Sequence, residues 1–379
     1  MLFPLAVTAV FLLGFESGGF QLALIHVADT FKLNHSMAGF MVTAHYAAIS
    51  IMPLIFGRIS DRIGKKPILI VFSSIMMLGC LVAVFSKASG VFILGIIMIG
   101  AGYGISECFY TAAVSDSDPV NAEKKINLMQ AAFCFGAFIS PMIISYLMSR
   151  GAAWRIVFIL AGLSIAAIFP VLLLTRFHAA QQSSEAALKP MRLRDLFTSK
   201  VLLVLFLLII AFAGLECGIA YFTVSFMTIE LGSPTFGAYS LSCFWLAMMV
   251  SRLAFSRITV SSLRIINILF ACTSAVLFTL VFSHNHILAL LLFIMAGIFI
   301  GPIWPVIVAT GTKTFPNDSG TVASILMAGS GGGASLFPYL LGLFADAFGF
   351  RYSFGFLALI SLLASLLWFG SKKFSSNHL

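Results

Sequence analysis

The stretch Gly57–Pro67 reads GRISDRIGKKP and packs five charges into eleven residues, in a chain of 379 residues that is 60% hydrophobic and only 9% charged. A soluble globular chain carries about 25% charged residues. On either side of this polar island lie apolar runs of the length that a bilayer-spanning helix needs, roughly 20 residues. The island therefore reads as a loop outside the hydrocarbon, joining two spans. Working outward from it, twelve such runs appear, the first at 2–26 and the last at 352–370. The first run has no basic leader and no A-x-A cleavage site, so it reads as a retained helix. The expected fold class is an all-α membrane protein with twelve transmembrane helices.

The net charge of +9 suggests a nucleic-acid partner only until its placement is read. With an even number of spans and both termini on one side, 17 of the 22 Lys and Arg residues fall on the side of GRISDRIGKKP and 5 on the other. This is a positive-inside bias, which predicts cytoplasmic termini in a cell (inner) membrane. The six cysteines (80, 108, 134, 217, 243 and 272) lie within the apolar runs. Without zinc-site spacing they read as small packing residues rather than ligands or disulfides. No metal, cofactor or nucleic-acid partner is expected, and no motif points to an enzyme.

The longest polar stretch, at 177–199, separates six runs from six runs. It predicts an N-terminal half at 1–176, a cytoplasmic linker, and a C-terminal half at 200–379. The halves also share words. GFESG at 14–18 matches GLECG at 214–218, an offset of 200. Gly100, Gly104, Gly136 and Pro141 return as Gly297, Gly301, Gly333 and Pro338, each 197 residues later. AWR at 153–155 resembles GFR at 349–351. A duplicated six-helix unit explains all of these. Transporters built from repeats place their substrate at the repeat interface near the bilayer midplane.

GRISDRIGKKP resembles motif A of the major facilitator superfamily, carried here by Gly57, Asp61, Arg62, Gly64, Lys65 and Lys66. The resemblance covers essentially the whole chain and implies two pseudo-symmetric six-helix halves. It also implies that Asp61 caps the eleventh helix and latches the halves on the cytoplasmic side, with Arg62 paired inside its own half. A narrower likeness is to the fucose and glucose permeases. It rests on GISECFYTAAVSDSDPVNAEKKINLMQAAFCFGAFISP at 104–141, AGLECGIAYFTVSFM at 213–227 and SCFWLAMMVSRL at 242–253. Thr111 departs from the Asn of many members, and Gln21 from the Asp of the fucose type, which leaves the sugar open. GAFISP does not match the Gly-Pro-x-x-Gly-Gly motif of drug antiporters, which weighs against export; the apolar cavity helices and the two departures make proton-driven export of drugs or amphipathic compounds the alternative reading.

Charges inside membrane spans are expensive and mark pathways or proton relays. Glu16, Glu107 and Glu216 are the candidates for proton coupling, each otherwise a neutral acid bonded to a neighbouring helix. The resemblance implies that helices 1, 4, 7 and 10 line one central cavity, which predicts that all three carboxylates face it. Gln21, Tyr110, Gln130, Tyr221, Trp245 and Trp304 are the candidate substrate-cavity residues, with plain packing as the other reading for each aromatic. Arg252 either snorkels or gates. His45 reads as a helix–helix contact, and Pro302 and Pro305 are expected to break the tenth helix and free backbone carbonyls. The expected partners are a small solute, H+ and the lipid bilayer, with the protein a monomer.

Overall fold

The computed structural model describes residues 1–118, 120–177, 199–255, 263–315 and 319–367. Among these, all regular structure is helical. The N-terminal half holds α1 (Leu2–Phe31), α2 (His35–Ile63), α3 (Lys65–Phe85), α4 (Ser89–Ser117), α5 (Ala122–Ser149) and α6 (Ile156–Leu174). The C-terminal half holds α7 (Lys200–Ser225, extended by a π-helical turn at Phe226–Glu230), α8 (Pro234–Phe255), α9 (Leu263–Val281) and α10, in two pieces at His286–Ile300 and Ile303–Thr314. It closes with α11 (Ser319–Phe348) and α12 (Phe350–Leu367). Helices are forced on such a chain because hydrocarbon offers no partner to a backbone N–H or C=O.

Eleven helices among the described residues are long and apolar enough to cross a membrane. α11 is not one of them, although its 30 residues exceed the length required. Its middle, Gly329–Ser335, reads GSGGGAS and trades apolar side chains for close approach. An added Cβ at Gly333 would lie 2.2 Å from the Ile210 carbonyl oxygen, and one at Gly331 would lie 2.2 Å from Ser50 Oγ. Small residues of this kind let helices pack backbone to backbone where no hydrophobic effect drives association.

The glycines that repeat in sequence make the same contact twice. Gly100 and Gly104 of α4 press on the carbonyls of His45 and Ile49 in α2, and Gly297 and Gly301 of α10 press on those of Phe244 and Met248 in α8. Gly136 of α5 abuts Phe11 of α1, as Gly333 of α11 abuts Ile210 of α7. The glycines of α1 and α7 differ in this respect: Gly14 and Gly18 press on the backbone of Phe133 and Ala137 in α5, whereas Gly214 and Gly218 meet the side chains of Phe337 and Leu341 in α11. Arg155 donates to the Ser86 carbonyl beyond α3, and Arg351 donates to the Ser283 carbonyl beyond α9. The offset in sequence is therefore a pseudo-two-fold relation in space.

The near end of the bundle is the one that carries the α2–α3 junction. There Gly64 ends α2 and opens α3 at φ +86°, a conformation costly for any residue with a Cβ. Lys65 pairs with Asp116 at the end of α4, and Lys66 donates to the Leu173 carbonyl at the end of α6. These two lysines tie the junction to its own half. The side chains of Asp61 and Arg62 lie outside the described residues. Gly57 has no neighbour within 4 Å of an added Cβ. Gly64→Ala is thus expected to lower stability by about 1–2 kcal/mol while Gly57→Ala stays near neutral, measured as melting in detergent.

The halves meet through α2 against α11, α5 against α8, and α1 against α7 and α8. The α2–α11 seam runs from the middle, at Ser50 and Gly331, to the far end, at His35 and Gly342. Along it the Thr43 hydroxyl donates to the Ser335 carbonyl.

Candidate functional site

Two layers of side chains cross the interface between the halves at mid-height. The layer toward the far end is aromatic with one amide. Trp245 Nε1 donates to Gln21 Oε1 at 2.8 Å, joining α8 to α1. The Gln21 amide in turn donates to Ser17 Oγ at 3.2 Å. Phe20 and Tyr221 meet edge to face at 5.6 Å, and Tyr46 stands on the other side of Tyr221 at 6.0 Å. Phe133 bridges Tyr103 and Trp245. Phe20, Gln21, Tyr221 and Trp245 are all buried, so this layer is a plug. The Tyr221 hydroxyl has no hydrogen-bond partner.

The layer toward the near end is ionisable. Arg252 of α8 pairs with Glu216 of α7 at 3.0 Å. Its Nε donates to the Gly301 carbonyl at 3.1 Å, and a terminal nitrogen lies 3.6 Å from Cys134 Sγ on α5. Pro305 explains why that carbonyl is free. It stands four residues after Gly301, where a helix would supply the N–H, and proline has none. The break expected in α10 falls here, between Ile300 and Ile303. Glu107 of α4 lies beside Gln130 of α5 and within electrostatic reach of Glu216 and Arg252. Four helices thus bring two carboxylates, one guanidinium and one amide together in the middle of an apolar bundle.

Glu216 and Arg252 each keep 19% of their side-chain surface exposed, although both lie deep in the bundle. The aromatic plug and the α2–α11 seam close the far end above them. Their exposure therefore does not come through the far end.

Glu16 is not part of this layer. Of the three carboxylates expected around one chamber, the structure brings Glu107 and Glu216 within reach of each other. Glu16 is fully buried, and neither carboxylate oxygen has a hydrogen-bond partner. It interacts electrostatically with Cys80 and Tyr103 of the N-terminal half and with Tyr221 across the interface. The repeat explains the difference. The matching contacts His45/Phe244 and Ile49/Met248 are offset by 199, so the position equivalent to Arg252 is Pro53. Both halves carry a glutamate in matching words, and only one half carries the arginine. Tyr110 is displaced too. It is buried among Leu13, Met76 and Ile165 of the N-terminal half, away from the interface. Trp304 opens the second piece of α10 and packs half-buried against the core. His45 Nδ1 donates to the Ile96 carbonyl of α4 at 3.2 Å, the helix–helix contact expected of it.

Arg252 is the residue that sequence reasoning left undecided. The signal was present, since Pro305 announces an orphan carbonyl on α10 and Glu216 an orphan charge on α7.

A family model described as the Major Facilitator Superfamily matches residues 6–281 and 218–377, nearly the whole chain. The chain belongs to the Major Facilitator Superfamily. It is a multi-pass membrane transporter. Among solved structures, this transporter is similar to the nucleoside transporter NupG, with a TM-score of 0.81, 14% identity, and coverage of 98% of this chain and 100% of that one. It is also similar to the E. coli fucose:proton symporter FucP, with a TM-score of 0.67, 17% identity, and coverage of 96% and 97%. At these identities the likeness carries the fold. A curated relative, the probable metabolite transport protein CsbC of Bacillus subtilis (strain 168), is 24% identical over 144 residues, 38% of this chain. That match spans only 31% of the relative's length.

Proposed function

We propose that this transporter couples the entry of a proton to that of a sugar or similar small polar solute, by alternating access of its two halves. The observation that carries the reading is the juxtaposition of Glu107 with the Glu216–Arg252 pair at mid-height, closed to the far end. A carboxylate that faces an arginine-bound carboxylate exchanges protons with water on the open side. It holds that proton when the site closes. Glu107 is the proton carrier in this account. Glu216 sets the charge that Glu107 meets, and Arg252 fixes Glu216. Gln21, Gln130, Tyr221 and Trp245 supply donors and acceptors for hydroxyl groups, with aromatic faces beside them. Breaking the Gln21–Trp245 bond opens the plug and frees an amide and an indole N–H for the solute.

The named partners of similar folds support this class of cargo, one being a nucleoside transporter and one a fucose:proton symporter. Both cargoes are polyhydroxylated and uncharged. The near end corresponds to the cytoplasm in this reading, since it holds most of the basic residues. The present conformation then faces inward. We assign residues 1–176 and 200–379 to the rocking halves, 177–199 to the linker, and the working unit to a monomer in the inner membrane.

Counterflow in proteoliposomes tests the cargo. Labelled pentoses, hexoses and nucleosides are offered in turn with no ion gradient imposed. Saturable counterflow of at least one polyol is expected. Counterflow confined to lipophilic cations would replace this reading with the exporter.

A further inference from the structure

The far end holds a contact that neither the motif A loop nor the central site accounts for. Asp346 lies two residues from the end of α11, and its carboxylate crosses to the other half. His35 N donates to Asp346 Oδ1 at 2.8 Å, and Ser36 N donates to Asp346 Oδ2 at 2.9 Å. His35 and Ser36 are the first two residues of α2. Asn34 Oδ1 takes the next amide, Met37 N, at 3.0 Å. Three N–H groups that a helix start leaves without partners are thus satisfied, two of them by a residue more than 300 positions away. Both carboxylate oxygens meet the positive end of the α2 dipole, and the bonds are charge-assisted.

The surroundings make this contact exacting. An added Cβ at Gly342 would lie 2.3 Å from the His35 carbonyl oxygen, and one at Gly39 would lie 2.2 Å from the Pro338 carbonyl oxygen. The two helices therefore touch backbone to backbone where Asp346 reaches across. The His35 ring meets Phe350 at 4.6 Å. Phe350 is itself anchored in its own half, because its N–H donates to Glu230 Oε1 at 3.0 Å while Glu230 pairs with Arg351. α2 is clasped by one rigid corner of the C-terminal half.

We propose that Asp346 is the far-end latch of this transporter, a gating residue that holds the cavity closed on that side by capping α2 from the opposite half. The reason is geometric. Opening the far end must part α2 from α11, and parting them breaks both amide bonds at once. Asp346 thus stabilises one of the two access states and contributes nothing to the other. A contact made in one state alone sets the balance between them. Small-residue packing along the seam fixes how closely the helices approach, and the two directional bonds of Asp346 decide when they part.

This inference rests on alternating access, which the family reading supplies, and on no particular cargo or ion. Its test needs neither. Ser225 is buried and lines a small far-end cavity with Leu24, Ala28 and Phe222. Ala161 is buried in the N-terminal half, away from the seam. Each is changed to Cys in separate full-length proteins held in lipid nanodiscs, where a maleimide reaches both faces, and labelling is read peptide by peptide. Asp346→Ala is expected to raise the labelling rate at Ser225→Cys by about 10-fold or more, with Ala161→Cys still slow. Asp346→Asn keeps an acceptor without the charge and should fall between. Equal labelling of Ser225→Cys with and without Asp346→Ala, in proteins of equal melting temperature, overturns the latch. Faster labelling at both reporters means general loosening and overturns it as well. Should Asp346→Ala fail to fold, Asp346→Asn decides, and wild-type labelling in that variant rejects the proposal. Counterflow data on the cargo leave this result untouched.

Discussion

Glu107→Gln abolishes accumulation of solute against its gradient and leaves counterflow intact. The size of the loss follows from the driving force. One proton moved across 100 mV carries about 2.3 kcal/mol, which sustains a solute gradient of about 50-fold. A glutamine has the shape of the acid, holds a hydrogen bond to Gln130, and cannot release a proton. The loaded carrier still reorients, so labelled solute exchanges. Solute entry is no longer tied to entry of a proton, so the gradient collapses to unity. The measurement is the steady-state ratio of solute inside to outside in energised proteoliposomes, beside the counterflow rate of the same preparation. A mutant that accumulates like the wild type would remove Glu107 from the coupling. One that loses counterflow as well would move Glu107 to solute binding.

Arg252→Met has the largest expected effect on the folded protein. Arg252 is bound at three points on three helices, to Glu216, the Gly301 carbonyl and Cys134. Its loss leaves a carboxylate beside Glu107 and a helix-break carbonyl with no donor. Breaking one partner out of an enclosed ion pair costs about 3 kcal/mol. Glu216→Gln alone costs less, since an amide oxygen still accepts from the guanidinium. The double variant, Glu216→Gln with Arg252→Met, is expected to recover part of the loss, because the uncompensated charge has gone. Thermal melting of the four proteins gives the coupling directly. Purely additive effects would show that the pair does not act as a unit.

The repeat was the most legible feature, for a physical reason. A glycine forced by backbone contact leaves the same mark in both copies, so Gly100/Gly104 and Gly297/Gly301 revealed one packing geometry twice. The positive-inside count sets only the orientation proposed above, because loops carry topology in composition alone. The site was harder. GFESG and GLECG align Glu16 with Glu216 as words, whereas the Phe11 and Ile210 contacts offset α1 from α7 by 199 and set Glu216 against Ser17. A second difference lay on another helix, in Pro53 against Arg252, and appeared only when the α2–α4 and α8–α10 contacts fixed the offset at 199. The Trp245–Gln21 bond joins residues 224 apart across the two halves, and no local pattern announces it. Asp346 was missed for a similar cause. A single Asp near a helix end reads as a surface charge until the helix it caps is in place.

Solute-driven proton movement tests the central claim most directly. A polyol that shows counterflow is added to a weakly buffered suspension of right-side-out vesicles, and external pH is recorded. Symport predicts that the medium turns alkaline as protons enter with the solute, and that Glu107→Gln erases the signal. No pH change, or acidification of the medium, would contradict proton-coupled uptake.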